Sequence, residues 1–178
     1  DVNPSGRLPY TYPKYEQGLI TYDHKPGQNM EGKMEGAYDY GAQTSVQYPF
    51  GFGLSYTTFE YSDLVVENKE FVSGDTIRIS VDVKNTGTAS GKETVMLFSR
   101  DMIATLSPDV RRLRAFEKIS LNPGEIKTIS LTVPADDLAY VNEKGKWVLE
   151  AGEFMLQTGN LTEKIVCKEN KNWETPNK

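Results

Sequence analysis

The pattern of side chains changes at a single place in this chain, and this change limits the folds open to it. Residues 48–59 interleave aromatic rings with two glycines and Pro49. Glycine permits backbone angles that other residues avoid, proline removes a hydrogen-bond donor, and the rings require a surface to pack against. The sequence before this run is rich in glycine and tyrosine without a period, and the sequence after it alternates apolar and polar residues. The run therefore predicts a hinge between an irregular arm and a β-rich domain.

Residues 59–168 carry the alternation that is typical of half-buried strands. Residues 76–84 alternate without interruption, whereas residues 93–98 are more continuously apolar, which favours a central strand covered on both faces. Further strands are predicted at 115–121, 126–133, 147–150 and 153–158, with a tight turn at 122–125 and a helical turn at 134–138. About seven short strands without the Cys-Trp-Cys arrangement of immunoglobulin domains predict an all-β, fibronectin type III-like (Ig-like) two-sheet sandwich, preceded by an extended, largely irregular arm.

Charge and composition exclude several classes of partner. With a net charge of −5 and a pI near 5.0, the chain lacks the basic stripe that neutralises phosphates, so no nucleic-acid partner is expected. No apolar run approaches the roughly 20 residues of a membrane span. The single cysteine, Cys167, cannot form an internal disulfide and is expected to be a buried thiol.

The acidic residues and the one histidine do not form a recognisable catalytic set. Glycoside hydrolysis requires two carboxyl groups about 5–5.5 Å apart for retention, or a wider separation for inversion. Asp136 and Asp137 fall at the predicted helical turn and are interpreted as capping residues. His24 is interpreted as a solvated loop residue, which leaves no metal cluster or triad. Four acids of the arm are interpreted as solvated charges: Asp23, Glu31, Glu35 and Asp39. The sequence therefore predicts no catalytic residue, no cofactor and no metal ligand.

The arm is unusually rich in tyrosine. Eight of the ten tyrosines lie in the first third of the chain, and rings on an irregular arm indicate docking against a neighbouring surface. Tyr38 and Tyr40 are also candidates for the rim of a substrate site, because an aromatic ring stacks on the C–H face of a pyranose.

Two stretches in the first third of the chain resemble family 3 glycoside hydrolases, the β-glucosidases and their relatives. Residues 3–13, Asn-Pro-Ser-Gly-Arg-Leu-Pro-Tyr-Thr-Tyr-Pro, are similar to the segment that closes the α/β sandwich domain of that family. Residues 48–59 resemble the signature that joins this domain to a C-terminal fibronectin type III-like domain. Residues 112–119 and 121–125 look like the matching strands and turn of bacterial periplasmic β-glucosidases.

The resemblance implies a domain organisation and a role. Residues 1–58 would be the end of the α/β sandwich domain with a linker arm, 59–168 the fibronectin type III-like domain, and 169–178 a polar tail. In the family, the aspartate nucleophile lies on an N-terminal barrel and the glutamate acid/base usually on the α/β sandwich, both upstream of this chain. The chain is thus expected to be an inactive, non-catalytic structural portion that braces the catalytic domains of its own polypeptide. The parent enzyme would hydrolyse terminal β-linked glucosyl residues with retention, in the periplasm or after secretion.

Two other functions remain open from the residues alone. The chain could be a free-standing carbohydrate-binding or adhesive sandwich, in which case binding of cello-oligosaccharides would depend on Tyr38 or Tyr40. It could also play the same structural role in a β-xylosidase-type enzyme, since the residues leave the identity of the glycoside open.

Overall fold

The computed structural model describes residues 2–14, 16, 21–26 and 46–173. Apart from one short 3₁₀ helix at Ala135–Leu138, the regular structure of these residues is entirely β, which confirms the predicted class. The strands, in chain order, are β1 (Tyr12–Pro13), β2 (Val46–Tyr48), β3 (Phe59–Val66), β4 (Glu70–Phe71), β5 (Thr76–Asn85), β6 (Gly91–Asp101), β7 (Arg112–Leu121), β8 (Ile126–Pro134), β9 (Tyr140–Val141), β10 (Trp147–Leu149), β11 (Gly152–Thr158), β12 (Leu161–Cys167) and β13 (Lys171–Trp173). Over the described residues, no helix is long and apolar enough to cross a membrane.

Two sheets enclose a single hydrophobic core. One sheet has the order β3-β5-β8, and the other has the order β4-β12-β11-β6-β7. All pairings in these sheets are antiparallel except the short pair of β4 with β12. Valine, leucine, isoleucine and phenylalanine side chains from both sheets fill the core, and Cys167 is buried among them as predicted. The two-sheet sandwich inferred from the sequence is therefore confirmed.

The alternation in β5 has the predicted effect, because Ile77, Ile79, Val81 and Val83 are all buried. Strand β6 is central, between β11 and β7, and both of its faces are covered as its apolar run indicates. Its inner face contributes core residues such as Val95 and Leu97. On its outer face, Met96 lies very near Gly51. A Cβ added to Gly51 would be 2.7 Å from the Met96 Cε. The hinge segment, residues 48–59, thus covers the outer face of a core strand.

The turn at residues 122–125 forms as predicted, with Gly124 at a φ of 76°. Strand β8 returns antiparallel after this turn, but its partner is β5 in the opposite sheet, not β7. The 3₁₀ helix that follows also matches the prediction. The capping interpretation of its acids is wrong, because no side chain caps this helix and the Asp136 Oδ1 instead accepts a hydrogen bond from the Gly74 N–H at 3.1 Å.

A small third sheet, β13-β10-β9, closes one end of the domain. In this sheet Trp147 of β10 lies directly opposite Trp173 of β13. Both indoles are half-buried and pack against the core. Residues 171–173 of the polar tail are therefore held in place by strand pairing and by Trp173.

Candidate functional site

The N-terminal segment, residues 2–14, lies directly against the hinge segment. The Leu8 N–H donates to the Phe52 carbonyl at 2.8 Å, and the Gly51 N–H donates to the Leu8 carbonyl at 2.9 Å. The two backbones approach closely enough that a Cβ at Gly53 would overlap the carbonyl oxygen of Gly6. Only glycine fits at position 53, and this explains one of the two glycines of the hinge.

Asn3 joins three separate parts of the chain. Its Oδ1 accepts hydrogen bonds from the Tyr56 N–H at 2.9 Å and from the Ser55 hydroxyl at 3.1 Å. Its Nδ2 donates to the Ser90 carbonyl at 2.9 Å, next to the start of β6. One asparagine side chain thereby fixes the N-terminal segment to both the hinge segment and the sandwich.

A buried ion pair fixes the same segment more strongly. Glu93 of β6 is only 7% exposed, and its carboxylate accepts hydrogen bonds from the Arg7 guanidinium and, at 2.9 Å, from the Tyr61 hydroxyl. Burial, with Glu93 as its neighbour, raises the pKa of Tyr61, so the phenol remains a donor. Arg7 also donates to the Gly53 carbonyl at 3.2 Å. Because a buried carboxylate is tolerated only when it is paired, this network specifies where the N-terminal segment docks.

Asn85, at the end of β5, is fully buried and uses its whole amide group. Its Oδ1 accepts from the Thr57 hydroxyl at 2.5 Å and from the Gly87 N–H at 3.1 Å. Its Nδ2 donates to the carbonyls of Ala89 at 2.9 Å and of Leu121 at 3.1 Å. The hinge segment, the β5–β6 turn and the end of β7 therefore meet at one side chain.

An aromatic stack joins another part of the arm to the outer face of β6. The Tyr22 ring stacks on Phe50 with centroids 4.2 Å apart, and both rings contact Phe98 edge-on at 6.3 and 6.2 Å. The Arg111 guanidinium lies 4.7 Å from the centroid of Phe98. Such rings contribute both apolar burial and a defined contact geometry. They hold residues 21–26 on the sandwich.

The loop between β6 and β7 completes this attachment. The Val110 N–H donates to the His24 carbonyl at 2.9 Å. Asp109 forms an ion pair with Lys25 at 2.5 Å through one oxygen and with Arg112 at 2.9 Å through the other. The ring of His24 is half-buried, with Nδ1 2.9 Å from the Thr21 carbonyl, so His24 is more constrained than the solvated residue predicted from the sequence.

Beside these attachments lies a ladder of three exposed tyrosine rings and one half-buried phenylalanine ring. We define the aromatic ladder as Tyr10, Tyr12, Tyr48 and Phe52. Its successive ring centroids are 6.2, 6.0 and 4.7 Å apart. Leu54 and Tyr56 of the hinge segment are also exposed, at 70% and 68%. A cluster of exposed apolar groups on otherwise ordered backbone is typical of an interaction surface.

A cavity of about 310 Å³ lies beside the β6–β7 loop and contains the most perturbed acid of the described residues. Burial raises the pKa of Asp101 to about 6, while its Oδ1 accepts a hydrogen bond from the Ile103 N–H at 3.1 Å. The second acid of this cavity is Asp109, and both of its oxygens face cations. An acid neutralised in this way serves as an anchor and is poorly suited to act as a nucleophile or base.

Glu150, which adds to the raised pKa of Asp101, is also occupied by structural contacts. Its two oxygens accept hydrogen bonds from the Thr105 N–H at 2.8 Å and the Thr105 hydroxyl at 2.5 Å. Burial raises the pKa of Glu150, but these hydrogen bonds outweigh burial and leave the pKa below its ordinary value. Glu150 thus fixes the loop after β6.

We expect Asp101→Asn to stabilise the chain at neutral pH. Asp101 has a higher pKa in the folded than in the unfolded chain, so its charge is a penalty above about pH 6 that disappears as the pH falls toward 4. Asparagine carries no charge and retains an oxygen for the Ile103 N–H. Urea unfolding at pH 4 to 8 should therefore show the variant to be more stable at pH 7 and equal to the parent near pH 4. A difference that does not depend on pH would contradict this assignment.

The structure does not describe several of the residues singled out in the sequence. Tyr38 and Tyr40 lie outside the described residues, as do Glu31, Glu35 and Asp39. Among the residues that are described, no group of three histidine, cysteine or acidic side chains could hold a metal ion.

Sequence reasoning missed Glu93 and Asn85, although a signal for both was present. Glu93 is in phase with Val95 and Leu97 in β6, and Asn85 is in phase with Val83 in β5. A polar residue on the inward phase of a strand predicts a buried, fully hydrogen-bonded group.

Comparison with known proteins identifies the sandwich. The family described as fibronectin type III-like domain matches residues 93–162. The solved structure of a β-glucosidase from Erythrobacter marinus superposes with a TM-score of 0.82 at 32% identity, covering 94% of this chain and 22% of that protein. The predicted sub-class of sandwich is therefore confirmed.

The similar curated proteins are much longer than this chain. A thermostable β-glucosidase B from Acetivibrio thermocellus is 40% identical over 95% of this chain and 23% of its own length. A β-xylosidase from Formosa agariphila is 38% identical, covering 89% of this chain and 22% of that protein. A periplasmic β-glucosidase from Salmonella typhimurium is 34% identical, covering 89% and 21%. The chain is thus homologous to a portion, bearing a fibronectin type III-like domain, of larger β-glucosidases and β-xylosidases, which confirms the resemblance drawn from its sequence.

Proposed function

We propose that this chain is the C-terminal, non-catalytic structural portion of a family 3 glycoside hydrolase of the β-glucosidase type. The parent protein hydrolyses terminal β-linked glucosyl residues, and the rest of its polypeptide supplies both catalytic carboxyl groups. The observation that carries the proposal is the shared length: the chain matches about a fifth of each relative. Two acids beside the β6–β7 loop, Asp109 and Glu150, are also occupied by structural contacts. The proposed boundaries are 1–58 for the arm and the end of the α/β domain, 59–168 for the sandwich and 169–178 for the tail.

The proposed partner is the catalytic part of the same polypeptide, and the aromatic ladder is the surface that fits it. Burying several hundred Å² of apolar area at ~25 cal/mol per Å² contributes several kcal/mol before the cost of ordering. The sandwich side of this surface is already rigid, because Arg7, Asn3 and Asn85 fix the N-terminal and hinge segments. A rigid brace at this position holds neighbouring active-site segments in place.

The finer details are part of the same proposal. Tyr38 and Tyr40 lie near the substrate rim of the assembled enzyme, and the protein acts in the periplasm or after secretion, as does the similar periplasmic β-glucosidase by its name. The same structural role in a β-xylosidase-type enzyme is the second candidate, and the similarity to a β-xylosidase supports it.

The isolated 178-residue chain is expected not to hydrolyse p-nitrophenyl β-glucoside or p-nitrophenyl β-xyloside. The physical reason is that the proposal assigns both catalytic carboxyl groups to the rest of the polypeptide, while Asp109 and Glu150 of this chain are occupied by ion pairs and hydrogen bonds. The assay compares the purified chain with buffer and with the Asp101→Asn variant, which removes the carboxyl group whose pKa burial raises to about 6. Turnover by the chain that disappears in this variant would overturn the proposal.

A further inference from the structure

A groove beside the small third sheet contains both tryptophans of the chain. Trp147 and Trp173 are directly opposed across the β10–β13 pair, so their side chains project to the same face. They line a cavity of about 280 Å³ together with two arginines and two acids. The polar members are Arg112, Arg114, Asp136 and Asp137.

Arg114 is a partly satisfied cation in this groove. Its Nε donates to the Ser99 hydroxyl at 2.7 Å, and its Nη1 donates to the Asp137 carbonyl. Its Nη2 donates to no atom in the described part of the chain. Burial lowers the pKa of Arg114 to about 10, so the side chain is still charged at neutral pH. The protein contacts fix the guanidinium plane and leave donors available for a ligand in the cavity.

The groove adjoins the cavity of about 310 Å³ described above. Trp147, Ala139, Arg112 and Arg114 line both cavities. Each volume is near the lower end of the roughly 300–1,000 Å³ that is usual for small-molecule sites. Two adjoining compartments of this size suit a ligand built from two ring-sized units.

The charges of the groove balance closely, which argues for a neutral ligand. Three cations face four carboxyl groups, and burial raises the pKa of one of the four, Asp101, to about 6. The charged lining residues are Lys25, Arg112, Arg114, Asp101, Asp109, Asp136 and Asp137. Indole rings can stack on the C–H faces of a sugar. The arginine and aspartate side chains beside them can donate to its hydroxyl groups or accept from them.

We propose that the Trp147–Trp173 groove binds a neutral disaccharide unit of a gluco- or xylo-configured saccharide. The indoles of Trp147 and Trp173 both contact ring faces of the saccharide, and Arg114 donates to hydroxyl groups. The groove shares no lining residue with the aromatic ladder, so this site can retain a saccharide while the ladder is covered. The choice of a gluco- or xylo-configured saccharide rests on the proposed function, whereas saccharide binding is measured on this chain alone, so the two can fail separately.

Intrinsic tryptophan fluorescence provides a direct test, since the chain has only two tryptophans and both lie in the groove. Titration of the full 178-residue chain with cellobiose and with xylobiose should give a saturable change in intensity or wavelength. Glycerol at matched hydroxyl concentration is the control, because it has no ring to stack. A change that is absent, linear, or equal with glycerol would overturn the proposal.

Variants then locate the site. Trp173→Phe leaves Trp147 as the reporter, and Arg114→Lys keeps the charge but loses the planar donors. Each should weaken binding about tenfold or more. Arg112→Gln, at an exposed lining position, provides a milder change that should leave folding intact. Phe116→Ala is the matched control, since Phe116 is an exposed residue of β7 outside the groove, and it should bind as the parent does.

Thermal unfolding of each variant separates a lost contact from a lost fold. Unchanged affinity in folded Arg114→Lys, Trp173→Phe and Arg112→Gln would refute the site even if saccharide binding itself were observed. Binding that depends on Tyr38 or Tyr40 would instead place the saccharide on the arm.

Discussion

Asn85→Ala is expected to destabilise the chain by about 3–4 kcal/mol, the largest effect of any polar substitution proposed here. Asn85 is fully buried and makes four side-chain hydrogen bonds. Alanine would leave the Thr57 hydroxyl and the Leu121 carbonyl without their buried Asn85 partner, and would add a small cavity. Urea unfolding followed by circular dichroism measures the change in the free energy of unfolding.

Asn172→Ala is the matched control for this variant. Asn172 is an exposed residue of β13, so its replacement should alter stability by less than about 0.5 kcal/mol. Asn85→Asp adds a second comparison, because it keeps the side-chain shape and the acceptor oxygen but loses the donor. Equal unfolding midpoints for Asn85→Ala and Asn172→Ala would show that the buried amide network has little energetic weight.

Gly53→Ala is expected to detach the N-terminal segment from the hinge segment. The added Cβ would overlap the Gly6 carbonyl oxygen, which is backbone and has little freedom to move. Overpacking of this kind costs about 1–3 kcal/mol. If the N-terminal segment moves away to remove the overlap, Arg7 also separates from the buried Glu93. Limited proteolysis should then cleave residues 2–14 faster, while the sandwich remains intact.

Gly6→Ala tests the same contact from the other side. A Cβ at Gly6 meets nothing within 4 Å, so this variant should be cleaved at the parent rate. Both substitutions replace one glycine by one alanine, and both therefore have a similar effect on the unfolded chain. Equal protection of residues 2–14 in the two variants would contradict the close approach of these backbones.

The strands were predictable because burial on one face imposes a period of two that local sequence records directly. Residues 76–84 show this most clearly, and β5 has the predicted buried face. The pairing of β8 with β5 was not predictable from the tight turn at Gly124. A turn fixes the local reversal of the chain, whereas the choice of sheet depends on core contacts between residues far apart in sequence.

The polar contacts of the candidate site were the least accessible to sequence reasoning. Arg7 and Glu93 are 86 residues apart, and nothing local to either residue indicates the other. Asp136 was interpreted as a capping residue because acids commonly cap helices. Its carboxylate instead accepts a hydrogen bond from the Gly74 N–H, which lies far from it in sequence. The sequence alone shows that Glu93 is on the inward-facing side of its strand, but its hydrogen-bond partners can be identified only from the fold.

The short β1–β2 pair has an evolutionary consequence. Pro13 lies opposite Val46, so two positions far apart in sequence are paired neighbours in the structure. Lengthening the interval between two fixed neighbouring ends costs only about 0.6 kcal/mol per doubling of its length. Residues inserted or exchanged between positions 27 and 45 should therefore be tolerated without loss of the sandwich. Selection can therefore change the length and composition of this interval while the supporting domain stays constant.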